Sequence, residues 1–354
     1  MGKHGAHART ESRGRIKALG FAFAIALCAV FITGLVTQST EPTPSAKTHN
    51  AATPTSAAAA TGPDTSHEAR AGYNGADYQK LKDAVQQATP NEALRIDAAP
   101  ILAIDDANEI RTFNITASKP MPMLSADAQQ QIAQVVQAIE EDGESGFVFL
   151  DLQSGAGIAY QAGACPYIAS ASKAPLAFYV LQQNDAQGLE LSKWELEELA
   201  AAIEQSDNDA FDSFGFGHMG GAYAEWLESY GVNYDAEYGL YLYASARSLA
   251  AIWNDAYWYL QSGTDNARWL ADRFANTNRS FIRNGVADSG ARVWNKGGWI
   301  ASDDMASTTD AGIIECDGRA YLLAIVTGQP DSGEAQERVS RLARLLFAAR
   351  DALA

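Results

Sequence analysis

The sequence predicts an α/β (α+β) domain: an antiparallel sheet flanked by terminal helices, plus a helical lobe. Three observations predict it. Strand patterns lie near both ends of residues 121–354 rather than in the middle. The first and last segments of that region carry the apolar period of an amphipathic helix. The stretch between them, from residue 170 to about 270, reads as helices.

Each element has a local reason. Ser125 can cap a helix reaching Glu141, with Ala128, Ile132, Val135, Val136 and Ile139 on one face and Gly143 as its stop. Residues 147–152 and 157–161 read as strands joined by a turn at Ser154-Gly155. Ser192 and Glu195 form a capping box ahead of Leu196, Leu199, Ala202 and Ile203. Residues 292–295 read as a strand, and 308–315 with 319–327 as a hairpin around Cys316-Asp317-Gly318. The last helix, 331–353, is apolar at Ala335, Val339, Leu342, Leu346, Ala349 and Leu353. Helices standing off such a sheet leave a cleft between the two parts.

Upstream of this domain the chain reads differently. Residues 1–17 are basic, and residues 18–36 run without a charge, long enough to cross a bilayer. The basic flank places the N-terminus inside. No small-x-small site follows closely, which favours an uncleaved signal-anchor over a cleaved signal peptide. Residues 37–72, rich in Ala, Thr, Ser and Pro, read as a flexible tether, and residues 73–120 as a stalk or add-on, with a short helix at 78–87 and strand-like patches over 94–116. The folded domain is then expected at 121–354.

The apolar content of 47% supports a core, and the formal charge of −17 opposes binding to nucleic acid. A monomer with a small-molecule partner is expected, attached to the cell membrane by one pass with its domain extracytoplasmic, or secreted after cleavage. Four of the five histidines fall in the N-terminal segments, leaving His218, and no Gly-x-Ser-x-Gly turn accompanies it. Beyond the membrane run only Cys165 and Cys316 remain, which an exported domain can bridge or leave free. No metal-ligand cluster is visible, so no metal and no cofactor is expected.

Three short motifs carry the chemistry. Ser170-Ala171-Ser172-Lys173 puts a hydroxyl and an amine three residues apart, on one face of a helix whose first turn favours a developing anion. A serine needs a base to attack, and a lysine serves only if burial or a nearby cation lowers its pKa. Ser172 reads as a helix-surface residue. Ser206-Asp207-Asn208 falls just past a helix end, where Ser206 can relay a proton and Asn208 can bind an amide. Lys296-Gly297-Gly298 lies between Trp294 and Trp299 on a strand, where glycine marks close approach. Lys296 is the cation expected to act on Lys173 and on a substrate carboxylate. The N–H groups of Ser170 and Trp299 are expected to form an oxyanion hole. Taken singly, the motifs also read as surface residues, a polar helix end, and a turn or bulge.

In this order the motifs resemble those of the serine penicillin-recognising superfamily, most closely the class A β-lactamase catalytic domain. The resemblance spans residues 121–354 and implies a β-lactamase/transpeptidase-like fold. It implies catalytic roles for Ser170, Lys173, Ser206 and Lys296, and substrate binding by Asn208, Gly297, Gly298 and Trp299. It further implies a serine hydrolase acting through an acyl-enzyme on a β-lactam or on a D-alanyl amide of a peptidoglycan stem peptide. Three departures stand out. Gly297 lacks the hydroxyl usual at that place, the interval from Ser170 to Ser206 is short, and the deacylating glutamate pattern is absent, with Glu237 a poor substitute. These departures motivate two competing readings: a catalytically silent wall-binding or sensory module, and an anchored scaffold.

Overall fold

The computed structural model describes residues 96–116, 119–234, 239–302 and 305–354. Their strands are β1 Arg111–Asn114, β2 Ser145–Asp151, β3 Ala156–Tyr160, β4 Arg292–Ile300, β5 Ser307–Cys316 and β6 Arg319–Thr327. They form one sheet in the order β1-β3-β2-β6-β5-β4, and each neighbouring pair is antiparallel. The helices are α1 Ala98–Leu102, α2 Ala126–Glu140, α3 Lys173–Gln187, α4 Lys193–Ala200, α5 Asn208–Gly215, α6 Gly221–Ser229, α7 Ala246–Leu260, α8 Asp265–Ala275, α9 Phe281–Gly285 and α10 Gly333–Ala348.

Period-two alternation splits the core into two layers. Phe147 and Phe149 of β2 pack on one face with Ile132, Val135 and Ile139 of α2 and Val339, Leu342 and Leu346 of α10. Val148 and Leu150 face the other way, among the residues of α3 and α7. The two terminal helices therefore cover one face, as their apolar stripes predict. Ser125 caps α2, accepting from Ala128 N at 3.1 Å. The β5–β6 hairpin turns at Asp317 (φ 52°) and Gly318 (φ 74°), the positive-φ pair that a two-residue hairpin requires.

The helices of the lobe are fastened to one another by aromatic packing. Trp253 of α7 meets the edge of Phe178 of α3 at 5.0 Å and of Phe274 of α8 at 5.1 Å. All three side chains are buried, and edge contacts of this kind add to the stabilisation from area alone. α3 thus leaves the sheet region with a fixed direction, and the residues at its start inherit that rigidity.

One boundary differs from the sequence reading. The folded unit begins before Met121, because residues 96–116 belong to it. β1 pairs with β3 from Arg111↔Ala159 to Asn114↔Ala156. The Phe113 ring stands 2.2 Å from where Gly157 would carry a Cβ, so only glycine fits there. Ile96, Ile101 and Ile104 are buried in the lobe-side core, and Asn254 Nδ2 donates to Ile96 O at 2.7 Å. The strand-like patches at 94–116 include β1, but four residues bearing Arg, Thr and Asn have too little apolar alternation to assign it to the domain. The basic segment, the 18–36 run, the tether and the 78–87 helix lie outside the described residues. Among the described residues no helix is long and apolar enough to cross a membrane. Cys165 and Cys316 are free thiols.

Ile101→Ala should destabilise the chain by about 2–5 kcal/mol, as for a truncated core residue. Thermal or denaturant unfolding checks this. An unchanged midpoint would mean that residues 96–116 do not pack on the domain.

Candidate active site

The site forms where the start of α3 meets the end of α4 and the edge strand β4. Residues Ala169–Ser172 make one 3₁₀ turn, and α3 continues from Lys173. In a 3₁₀ turn, side chains three apart nearly eclipse, which stacks Ser170 beside Lys173. Ala169 enters the turn at φ 45°, a conformation rare for alanine. The segment before it is tied to the 242–244 backbone. Ile168 N donates to Leu242 O at 3.0 Å, and Ala244 N to Pro166 O at 3.3 Å. Ser172 is not a surface residue. It is fully buried, and its Oγ accepts from Leu242 N at 2.9 Å, so it locks the turn from inside.

α4 opens with the capping box predicted at Ser192 and Glu195. It ends in a π-helical turn, Ala201–Gln205, and Ser206 closes that turn at φ 60°, ψ 29°. π turns and left-handed non-glycine residues both concentrate at working sites. Asn278 clamps the turn, its N donating to Glu204 O at 2.8 Å and its Nδ2 to Gln205 O at 2.9 Å. Asp207 then caps α5, accepting from Ala210 N at 2.9 Å.

These constraints bring two lysines to one serine. Lys173 Nζ donates to Ser206 O at 2.7 Å and to Asn208 Oδ1 at 2.8 Å. Lys296 Nζ donates to Ser206 Oγ at 3.0 Å and to Gly297 O at 3.0 Å. Both lysines are buried, at 0% and 1% exposure. Burial pulls Lys173 down to about 8, against the opposing pull of Asp207 and Asp212. Burial, reinforced by the charge of Lys173, pulls Lys296 well below its ordinary value, while Asp310 pulls it back. A neutral amine has two N–H donors and one lone pair. The two acceptors on Lys173 use both donors and leave the lone pair free for a proton. Ser170 is 9% exposed, and its Oγ has no hydrogen-bond partner among the described residues.

β4 closes the site from the sheet edge. A Cβ on Gly298 would stand 2.0 Å from Ile168 O, 2.6 Å from Ala171 N and 3.0 Å from Ser170 N. Only glycine lets β4 come this close to the turn. At Gly297 the nearest atoms, Arg279 O and Thr309 O, would be 3.5 Å away, which is ordinary contact. The Trp299 ring lies 5.3 Å from Lys296 Nζ. Beneath the strand, Asp310 is fully buried opposite Gly297 and accepts from Asn295 Nδ2 at 2.7 Å and Ile282 N at 2.9 Å. Burial raises its pKa, and these hydrogen bonds oppose the rise.

Of the residues predicted from sequence, Lys173, Ser206, Asn208 and Lys296 share direct hydrogen bonds, and Gly298 abuts the Ser170 turn. Glu237 lies outside the described residues. His218 is elsewhere in the lobe, 3.2 Å from Glu195 Oε1. Sequence reasoning missed Arg279, whose guanidinium stands 4.3 Å over the Trp299 ring and 3.3 Å from Asp331. It also missed Asp212, which faces Lys173 from α5. Neither lies in a motif. Only the i, i+4 spacing of Asn208 and Asp212 gave a sign of the second.

The sequence matches a model of the β-lactamase enzyme family over residues 191–349, a span that holds Ser206, Asn208 and Lys296 and begins after Ser170. No curated protein matches the chain. Several solved structures are similar. PBP-A is 18% identical, with a TM-score of 0.53 over 63% of this chain and 96% of its own. A β-lactamase from Chitinophaga pinensis DSM 2588 is 20% identical, with a TM-score of 0.53 over 63% of this chain and 99% of its own. The TLA-1 extended spectrum β-lactamase is 15% identical, with a TM-score of 0.53 over 63% of this chain and 98% of its own. The chain has the fold of the serine β-lactamases and penicillin-recognising proteins.

Gly298→Ala should cost about 1–3 kcal/mol through overpacking against the Ser170 turn. Gly297→Ala should be neutral or stabilising by up to about 1 kcal/mol, because it stiffens the unfolded chain. Paired unfolding curves check the contrast, and equal effects would show that β4 does not press on the turn.

Proposed function

We propose that this chain is an extracytoplasmic serine hydrolase that forms an acyl-enzyme on Ser170 and acts on β-lactam or D-alanyl peptide amide bonds. One observation carries the reading: Ser206 takes Lys173 on its carbonyl and Lys296 on its hydroxyl, beside a serine hydroxyl with no described partner. The family match and the shared fold support the same class. A variant of PBP-A, 19% identical with a TM-score of 0.51 over 63% of this chain and 96% of its own, is described in an acyl-enzyme complex with penicillin-G.

Lys173, as free amine, takes the proton of Ser170 Oγ while the oxygen bonds to the carbonyl carbon. The N–H groups of Ser170 and Trp299 hold the resulting oxyanion. β4 is the last strand of the sheet, so alternate N–H groups along it have no strand partner among the described residues. The proton then passes from Lys173 to Ser206 and on to the departing nitrogen, and the carbon–nitrogen bond breaks. Lys296, held on Ser206 Oγ, leaves the hydroxyl hydrogen of Ser206 directed away from itself and toward that nitrogen. Asn208 holds the substrate amide. Lys296 is buried and committed to Ser206, so Arg279, 38% exposed at its side chain, meets a substrate carboxylate in place of the hydroxyl that Gly297 lacks. Residues 18–36 anchor the chain in the membrane, or direct its secretion, and the domain works as a monomer without nucleic acid.

Mixing the full chain with benzylpenicillin should add one acyl mass, seen by intact-protein mass spectrometry. Ser170→Ala should abolish it, and an adduct that survives the substitution removes Ser170 from the mechanism. The acylation rate should rise with pH. A base near 8 is about one-tenth free at pH 7 and mostly free at pH 9. A rise of about tenfold to a plateau is therefore expected, and a flat profile over that range would exclude Lys173 as the base.

A further inference from the structure

Clearing an acyl-enzyme needs a base that accepts a proton from water, and α5 carries a carboxylate on the face that meets Lys173. Asn208 and Asp212 are four residues apart on α5 and therefore share a face. That face looks at the reacting groups, because Asn208 Oδ1 is 2.8 Å from Lys173 Nζ. The Phe211 ring lies 5.4 Å from the same amine. The neighbouring carboxylates are occupied or turned elsewhere. Asp207 caps Ala210 N, Glu204 pairs with Arg273 at 2.8 Å, and Asp310 is spent on Asn295 and Ile282. Asp209, one residue from Asn208, does not share its face. The Asp212 carboxylate has no hydrogen bond or ion pair among the described residues.

Its surroundings suit a base. Asp212 is half-buried, and burial raises its pKa while Lys173 lowers it and Asp209 raises it further. Tyr167 and Tyr241 stand near it, ring centroids 6.4 Å apart. Burial raises both phenols, and the charge of Asp212 adds to both rises, so they stay neutral beside it. Tyr167 is three residues before Ser170, on the segment that delivers the 3₁₀ turn.

Resting on the acyl-enzyme reading above, we propose that Asp212 is the general base that activates the deacylating water. Asp212 takes one proton from water as the water oxygen bonds to the acyl carbon. The carbon–Oγ bond of Ser170 then breaks, releasing a carboxylic acid. Asp212 passes its proton to Lys173, and the resulting ammonium gives one to the departing Ser170 Oγ, so the enzyme returns to its starting state.

The test follows the benzylpenicillin adduct of the full chain by time-resolved mass spectrometry, with acylation and deacylation rates fitted separately. Asp212→Asn should acylate within about threefold of the unsubstituted chain but clear its adduct about 10²–10⁴-fold more slowly. Asp212→Glu should recover part of the clearance. If Asp212→Asn does not fold, Asp212→Ser serves the same comparison, and normal acylation reports the fold. An Asp212→Asn adduct that clears at the original rate overturns the assignment, as does slowed clearance produced by Glu237→Gln and not by Asp212→Asn. An adduct on the unsubstituted chain that never clears overturns it too. No adduct on the unsubstituted chain at all overturns the acyl-enzyme reading, and this assignment with it.

Discussion

Two buried ammonium groups cannot share one pocket cheaply. Removing a charge from water is costly, and two like charges close together repel. The contact of both lysines with Ser206 is the arrangement that makes the pocket stable. Each amine has its N–H groups satisfied, burial lowers both pKa values, and the buried acid beneath β4 opposes complete loss of charge on Lys296. The rest of the architecture serves that contact. The π turn sets Ser206 in its left-handed conformation, the 3₁₀ turn starts α3 at Lys173, and β4 carries Lys296 in from the sheet edge.

The glycine at position 298 connects this electrostatic centre to the backbone. Without it the strand could not approach the turn, and Lys296 would reach Ser206 only by moving the turn. The buried Ser172 side chain acts from the opposite side, holding Leu242 N and so tying the turn to the 242–244 segment. The turn bearing Ser170 is therefore gripped by a strand edge, a loop backbone and the first turn of α3. That restraint accounts for the positive φ of Ala169, which an unsupported chain would relax.

Much of the fold is legible in the sequence because its elements are long and locally consistent. α2, α10 and the β5–β6 hairpin each carry a cap, a period or a turn signal that agrees with its neighbours. β1 is only partly legible: residues 94–116 show strand-like patches, but nothing local says that they belong to the domain. Its four residues join it by pairing with β3, where Gly157 carries no side chain, a tertiary fact that spacing does not carry. Ser172 misleads for a related reason: helical spacing puts it on the surface, but the segment begins as a tighter turn packed against a loop. The motifs name Lys173, Ser206 and Lys296 in order, yet spacing cannot say which atom of Ser206 meets which lysine.

On the proposed function, Arg279 lets chemistry move off a motif. Gly297 offers no hydroxyl at the place where, on the proposed function, β4 faces incoming substrate. The guanidinium that stands over Trp299 is charged, planar and capable of two parallel hydrogen bonds to a carboxylate. It comes from the loop whose Asn278 clamps the π turn, so the segment that fixes Ser206 also positions the cation. Under the proposed function, having the two in consecutive residues would tie the placement of a substrate carboxylate to that of the proton relay. On that proposal a shift in one displaces the other, and recognition is linked to the geometry of proton transfer through Asn278 and Arg279, two residues outside the three motifs.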